Sequence, residues 1–147
     1  ETGKTECDLC HAGTYSTASG LTVCTACKVG TFLATCGAAD DSSCDLCLAG
    51  RYNDRDGMSE CTRCPLGTFC TATGATNVSS CRSCAPGLYG GSTGATECTE
   101  CERGRYEGAE GRSACTLCPG GKYGLLTNKA SEAEACSDCL PGSTSDP

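Results

Sequence analysis

The residues of this chain that could do chemistry are cysteines, and they come in pairs. Eight C-x-x-C units begin at Cys7, Cys24, Cys44, Cys61, Cys81, Cys98, Cys115 and Cys136 and close at Cys10, Cys27, Cys47, Cys64, Cys84, Cys101, Cys118 and Cys139. Two more cysteines, Cys36 and Cys70, stand outside them. Two thiolates at this spacing form half of a tetrahedral zinc site. A single such pair at a strand–helix junction serves thiol–disulfide exchange. Neither chemistry uses eight evenly placed copies. His11 is the only histidine, and no serine or carboxylate stands beside it in a nucleophile–base pattern. Asn53-Asp54-Arg55-Asp56-Gly57 has the acidic character of a calcium loop. It occupies a turn position that recurs without charge at Ser16–Gly20 and Gly90–Gly94, and so reads as a turn; Asp40-Asp41 reads as a solvated face. The expectation is no catalytic residue, no metal and no cofactor. All eighteen cysteines are expected in disulfides.

The elements that position them follow from a repeat. Every aromatic residue lies five places after a closing cysteine: Tyr15, Phe32, Tyr52, Phe69, Tyr89, Tyr106 and Tyr123. A glycine lies three places after the same cysteine in each copy, from Gly13 to Gly121. An eighth copy, Cys136-Ser-Asp-Cys139-Leu-Pro-Gly142, has Thr144 in the aromatic place. Successive pairs are separated by 17, 20, 17, 20, 17, 17 and 21 residues. The short copies share a second glycine (Gly20, Gly57, Gly94, Gly111) after a run of turn formers, which suits a strand, a tight turn and a return. The long copies carry Cys36, Cys70 or Leu125-Leu126, with a helix-start pattern at Ser131-Glu-Ala-Glu134 in the last. Each first glycine is expected to let backbone pass close to a disulfide, and each ring to lie over the cystine or against the next repeat.

Composition leaves little else to hold a fold. Leu, Ile, Val and Phe number 16 of 147 residues, without isoleucine or tryptophan, at net charge −7. That balance ordinarily marks disorder, whereas cysteine at this density marks a disulfide scaffold in an oxidising, extracellular or cell-surface setting. The fold class is therefore small and disulfide-rich: an elongated tandem array of short β-hairpin and loop modules, with little regular structure and no central hydrophobic core. Residues 1–3 read as vector residue. Repeats 1 and 2 occupy 4–43, repeats 3 and 4 occupy 44–80, repeats 5 and 6 occupy 81–114, and repeat 7 with a truncated eighth occupies 115–147. The whole reads as a segment of a longer protein, with any membrane attachment through an anchor outside it. Scattered basic residues, Arg103, Arg105 and Arg112 among glutamates, argue against a nucleic-acid partner. Asn77-Val78-Ser79 is an N-glycosylation sequon.

The run Cys10-His-Ala-Gly-Thr-Tyr-Ser-Thr-Ala-Ser-Gly20-Leu-Thr-Val-Cys24-Thr-Ala-Cys27 resembles the ephrin-receptor-like cysteine-rich repeat, and Cys64-Pro-Leu-Gly-Thr-Phe69 and Cys84-Ala-Pro-Gly-Leu-Tyr89 carry variants of its core. The resemblance extends from Cys7 to Gly142. It implies an extracellular spacer and protein-interaction module, a receptor or adhesin stalk, with a protein ligand or co-receptor as partner. A second resemblance, over Cys24 to Cys47, is to tumour-necrosis-factor-receptor cysteine-rich domains. It would imply a ligand-binding ectodomain with crossed bonds Cys24–Cys36 and Cys27–Cys44. Spacing alone does not settle the pairing. The simplest ladder joins each closing cysteine to the next opening one and strands Cys7, Cys36, Cys70 and Cys139.

Overall fold

The computed structural model describes residues 6–145; the Glu1-Thr2-Gly3 opening lies outside them. Its regular structure is fourteen strands of two residues, two turns of 3-10 helix and one four-residue α-helix. The strands pair as seven separate two-stranded sheets. In the first, β1 (Thr14–Tyr15) runs antiparallel to β2 (Thr25–Ala26), with Tyr15 opposite Thr25. In the next, β3 (Thr31–Phe32) faces β4 (Asp45–Leu46), with Phe32 opposite Asp45. One strand of each sheet thus holds the aromatic, and the other holds the middle of a C-x-x-C.

Contacts divide the chain into two units, Glu1–Thr62 with Ala72–Ser80, and Arg63–Thr71 with Cys81–Pro147. Within each, consecutive repeats are tied by the same backbone hydrogen bonds. In the first unit Gly13 N donates to Leu33 O at 2.8 Å, Ser16 N to Ala38 O at 3.0 Å and Gly37 N to Cys10 O at 2.8 Å. The following joint repeats the set with Gly30 to Asn53, Leu33 to Met58 and Gly57 to Cys27. In the second unit Gly67 donates to Gly90, Cys70 to Ala95 and Gly94 to Cys64, and then Gly87 to Glu107, Gly90 to Arg112 and Gly111 to Cys84. Amides that a two-residue strand leaves unused are satisfied by the neighbouring repeat. Buried backbone groups require such partners.

These joints add a second neighbour to the expected role of the first glycine. A Cβ on Gly13 would overlap the carbonyl of Gly57, and one on Gly67 the carbonyl of Gly111. The first glycine therefore has two close neighbours: its carbonyl accepts from the amide of the next closing half-cystine, as Gly13 O does from Cys27 N at 2.9 Å, and its bare Cα admits the second glycine two repeats on. The second glycine is also more general than the short copies suggest. Gly37 and Gly74 in the long copies, and Asn128 in the last, take the same left-handed conformation, at φ 77°, 66° and 55°. Each stands five residues after its aromatic, as in the short copies. The extra residues of the long copies therefore enter after this turn. They form the 3-10 turns Asp41–Ser43 and Val78–Ser80 and the helix α1 (Glu132–Ala135), whose N-cap Ser131 accepts from Glu134 N.

Among the described residues no continuous core forms. The buried side chains are chiefly the closing cysteines Cys10, Cys27, Cys47, Cys64, Cys84, Cys101 and Cys118. The residue that follows an aromatic is also buried in five of the seven copies, at Leu33, Asn53, Cys70, Gly90 and Glu107. The rings themselves are half-buried, except Tyr123, which is 42% exposed. Tyr106 packs on Cys118, Ala135 and Cys136, thereby covering the cystine of the next repeat.

Candidate functional site

Seven disulfides form the chemical framework: Cys10–Cys24, Cys27–Cys44, Cys47–Cys61, Cys64–Cys81, Cys84–Cys98, Cys101–Cys115 and Cys118–Cys136. Every one joins the closing cysteine of a pair to the opening cysteine of the next. Cα separations of 5.6–5.8 Å sit at the usual value for a cystine. The β pairing favours this: in each hairpin the second strand begins at the residue after one bonded cysteine and the first strand begins four residues after the other, as Thr25 follows Cys24 and Thr14 follows Cys10.

These seven bonds take up fourteen of the eighteen cysteines expected in disulfides, and four lie outside them. Cys7, Cys36 and Cys139 carry thiols, and Cys70 is buried outside the seven bonds. Cys7 opens the first pair and Cys139 closes the last, so the pair-to-pair rule assigns neither a partner within these residues. Cys36 is exposed and precedes the left-handed Gly37. Of the crossed pair implied by the receptor-domain resemblance, Cys27–Cys44 is present, but Cys24 is bonded to Cys10 instead of Cys36.

The acidic turn Asn53–Gly57 is held by its own chain. Asn53 is 2% exposed; its Nδ2 donates to Thr31 O at 2.6 Å and its Oδ1 accepts from Arg55 N at 3.1 Å. Asp56 Oδ1 accepts from Val29 N at 2.9 Å, and its other oxygen lies 3.5 Å from Lys28 Nζ. These carboxamide and carboxylate oxygens are engaged in fixing a turn. Glu107 repeats the arrangement, buried, with Oε1 accepting from Ala109 N at 3.0 Å and Arg112 Nε 3.6 Å away. The sequence marked Asn53 only as the first residue of an acidic turn and Glu107 only as one of several scattered charges; neither reading placed a buried cap there. The signal was their place immediately after an aromatic, where each side chain can cap a turn two residues on.

Asp40 belongs to a comparable surface turn. Its Oδ1 accepts from the hydroxyls of Ser42 at 2.6 Å and Ser43 at 3.3 Å, and the Ser42 bond in particular holds its carboxyl below the usual carboxylate range. His11 supplies its carbonyl to Thr14, through both Thr14 N and Thr14 Oγ1. Among the described residues no group of three or more His, Cys, Asp or Glu side chains is gathered as a metal cluster.

The surface offers shallow depressions. In the first unit Phe32, Cys44, Asp45, Leu46, Leu48 and Thr73 line one of about 610 Å³, with Leu46 57% and Leu48 67% exposed. A smaller one, about 270 Å³, shares Phe32 and Leu48 with Arg51, Glu60 and Cys61. In the second unit Tyr89, Glu102, Arg105, Ala114 and Cys115 line one of about 290 Å³. No helix among the described residues is long and apolar enough to cross a membrane.

Seven disulfide-closed hairpin loops, tied by recurrent backbone bonds, define a small disulfide-rich tandem-repeat protein. The model of the family described as tyrosine-protein kinase ephrin type A/B receptor-like matches residues 37–81 and 87–139, and the chain belongs to that family. The family is a non-catalytic ectodomain module. No curated protein matches the chain in a whole-sequence search.

Proposed function

We propose that this chain is an extracellular spacer and protein-interaction segment of a larger cell-surface or secreted protein, in the manner of a receptor or adhesin stalk. The observation that carries this is the ladder itself. Every closed loop is bridged at its base, so load travelling along the chain bypasses the residues inside it. From Cys10 to Cys136 the load path is seven bridges of 5.6–5.8 Å and six C-x-x-C links of three chain steps each. That path can extend to about 100 Å, against about 440 Å for the same stretch as an open chain. Single-molecule pulling between these points is expected to stop near the shorter length in oxidising buffer and to reach the longer one with reductant. Reaching the longer length while oxidised would overturn the spacer reading.

A protein ligand or co-receptor is the proposed partner, and the first unit's groove is the contact. Leu46 and Leu48 present apolar surface there beside Asp45. The unit as a whole carries nine acidic against four basic residues, whereas the other carries nine against seven. An apolar side chain flanked by lysine or arginine is the complementary surface. Replacing Leu46 and Leu48 together by serine should leave the disulfides unchanged and weaken binding of the secreted chain to cells that display the partner. Undiminished binding would remove the groove from the account. The rival reading, a tumour-necrosis-factor-receptor-like ectodomain, rests on the Cys24–Cys36 bond, which this structure replaces with Cys10–Cys24.

A further inference from the structure

Two loops of this protein are built on the same local plan with one difference in chemistry. Thirty-seven residues separate Asp40-Asp41-Ser42-Ser43 from Asn77-Val78-Ser79-Ser80, and each run forms or leads into a three-residue 3-10 turn inside a disulfide-closed loop. In the first, Asp40 Oδ1 accepts from the hydroxyls of Ser42 and Ser43. In the second, Asn77 Oδ1 accepts from Ser79 N at 3.0 Å and from the Ser79 hydroxyl. Both turns are thus held by one side-chain oxygen, and a carboxylate supplies it as well as an amide does. The amide nitrogen of Asn77 is surplus to the fold. Asn77 is exposed, and its Nδ2 donates to no group among the described residues.

We propose that Asn77 is an N-glycosylation site, with the Asn77-Val78-Ser79 triplet as its acceptor signal. The donor class is an oligosaccharide carried on a polyisoprenyl diphosphate. The bond between the sugar's C1 and the phosphate oxygen breaks, a C1–Nδ2 bond forms, the departing Nδ2 proton goes to a base, and the lipid diphosphate leaves with the electron pair. Transfer takes place on the chain before Cys64 and Cys81 close the loop, and the finished fold then accommodates the product. Ser79 keeps the oxygen of Asn77, the exposed nitrogen donates to no group among the described residues, and neighbouring Val78 is 53% exposed. The inference adds a modification to the proposed extracellular role and depends on passage through a secretory route.

The test is secretion of the wild-type chain from eukaryotic cells beside Asn77→Asp, Ser79→Ala and Ser79→Thr. Wild type and Ser79→Thr are expected to lose one glycan's mass on treatment with a peptide N-glycosidase, leaving aspartate at position 77. Asn77→Asp and Ser79→Ala are expected to emerge at the deglycosylated mass and to be insensitive. Asn77→Asp retains the turn oxygen, so it should secrete with its seven disulfides intact even if Ser79→Ala does not. A secreted wild-type chain whose residue-77 peptide carries unmodified asparagine would overturn the proposal. If secretion itself requires the glycan, Asn77→Asp will fail to appear while Ser79→Thr appears normally, which supports occupancy at this site.

Discussion

At the residue scale, two glycines of the same rank in the repeat have different surroundings. Gly67 and Gly104 each stand three residues after a cysteine, at φ 78° and 75°. A Cβ on Gly67 would overlap the Gly111 carbonyl, whereas one on Gly104 would meet nothing within 4 Å. Gly104→Ala should therefore cost only the left-handed strain, about 1–2 kcal/mol. Gly67→Ala must in addition displace the second glycine of a repeat two further on, and should cost about 4 kcal/mol or more. Denaturant titration with the disulfides intact measures the difference; equal losses would refute the packing role of this position. Asn53→Ala leaves Thr31 O and Arg55 N without their partner, at an expected cost of about 2–3 kcal/mol. Asn53 and Gly67 differ in how readable they were. The glycine was visible as a repeated symbol, and the sequence pointed it at the cystine beside it (Cys84 N donates to Gly67 O at 2.9 Å) without showing the second glycine two repeats on. The asparagine was legible as part of a turn but not as its buried cap, because its position holds Leu33, Cys70, Gly90 and Glu107 in other copies and so shows no pattern.

At the scale of the element, a hairpin of two-residue strands is marginal alone and depends on its turn and its neighbour. The left-handed turn residue of the seventh loop is Asn128, at φ 55°. Asn128→Gly should be tolerated within a few tenths of a kcal/mol, while Asn128→Val should lose about 1 kcal/mol or more, as a β-branched residue does there. Equal stability of the two by thermal melting would contradict that assignment. The helix α1 in the same loop is clasped from the strand Lys122–Tyr123, since Lys122 Nζ lies 3.1 Å from Glu132 and 3.4 Å from Asp138. The Glu132 hydrogen bond, with Asp138 behind it, raises the Lys122 ammonium above the ordinary lysine range. A raised cation stabilises the fold below the ordinary lysine pKa and loses that contribution as pH climbs through the raised value. Hydrogen exchange at the Ala135 and Cys136 amides should therefore rise in strongly alkaline buffer beyond the intrinsic rate, and less so in Lys122→Met. The contribution is small, because the pair is surface-exposed and screened by salt.

For the whole molecule, the cysteines and glycines of the sequence suffice to announce the fold class and the repeat. Among the described residues the hairpins, the scarcity of helix and the lack of a continuous core all follow from a composition with few large apolar side chains. What stayed out of reach was the third dimension of the repeat. Spacing cannot show that Gly13 meets Gly57, nor that Gly37, Gly74 and Asn128 share one turn, because counting from the next cysteine hides an insertion that counting from the aromatic exposes. Disulfide pairing was open for the same reason, with a ladder and a crossed arrangement both compatible with the spacing. The pairing also decides stability: with so little else buried, a reductant should abolish the cooperative unfolding transition. The most direct measurement is a disulfide map of the native chain, by proteolysis without reduction and mass spectrometry of the linked peptides. Linked pairs Cys10–Cys24 and Cys27–Cys44, continuing in that order to Cys118–Cys136, with Cys7, Cys36 and Cys139 open to alkylation, are the expected result. A Cys24–Cys36 link would contradict the ladder, and with it the account of how this chain holds its shape.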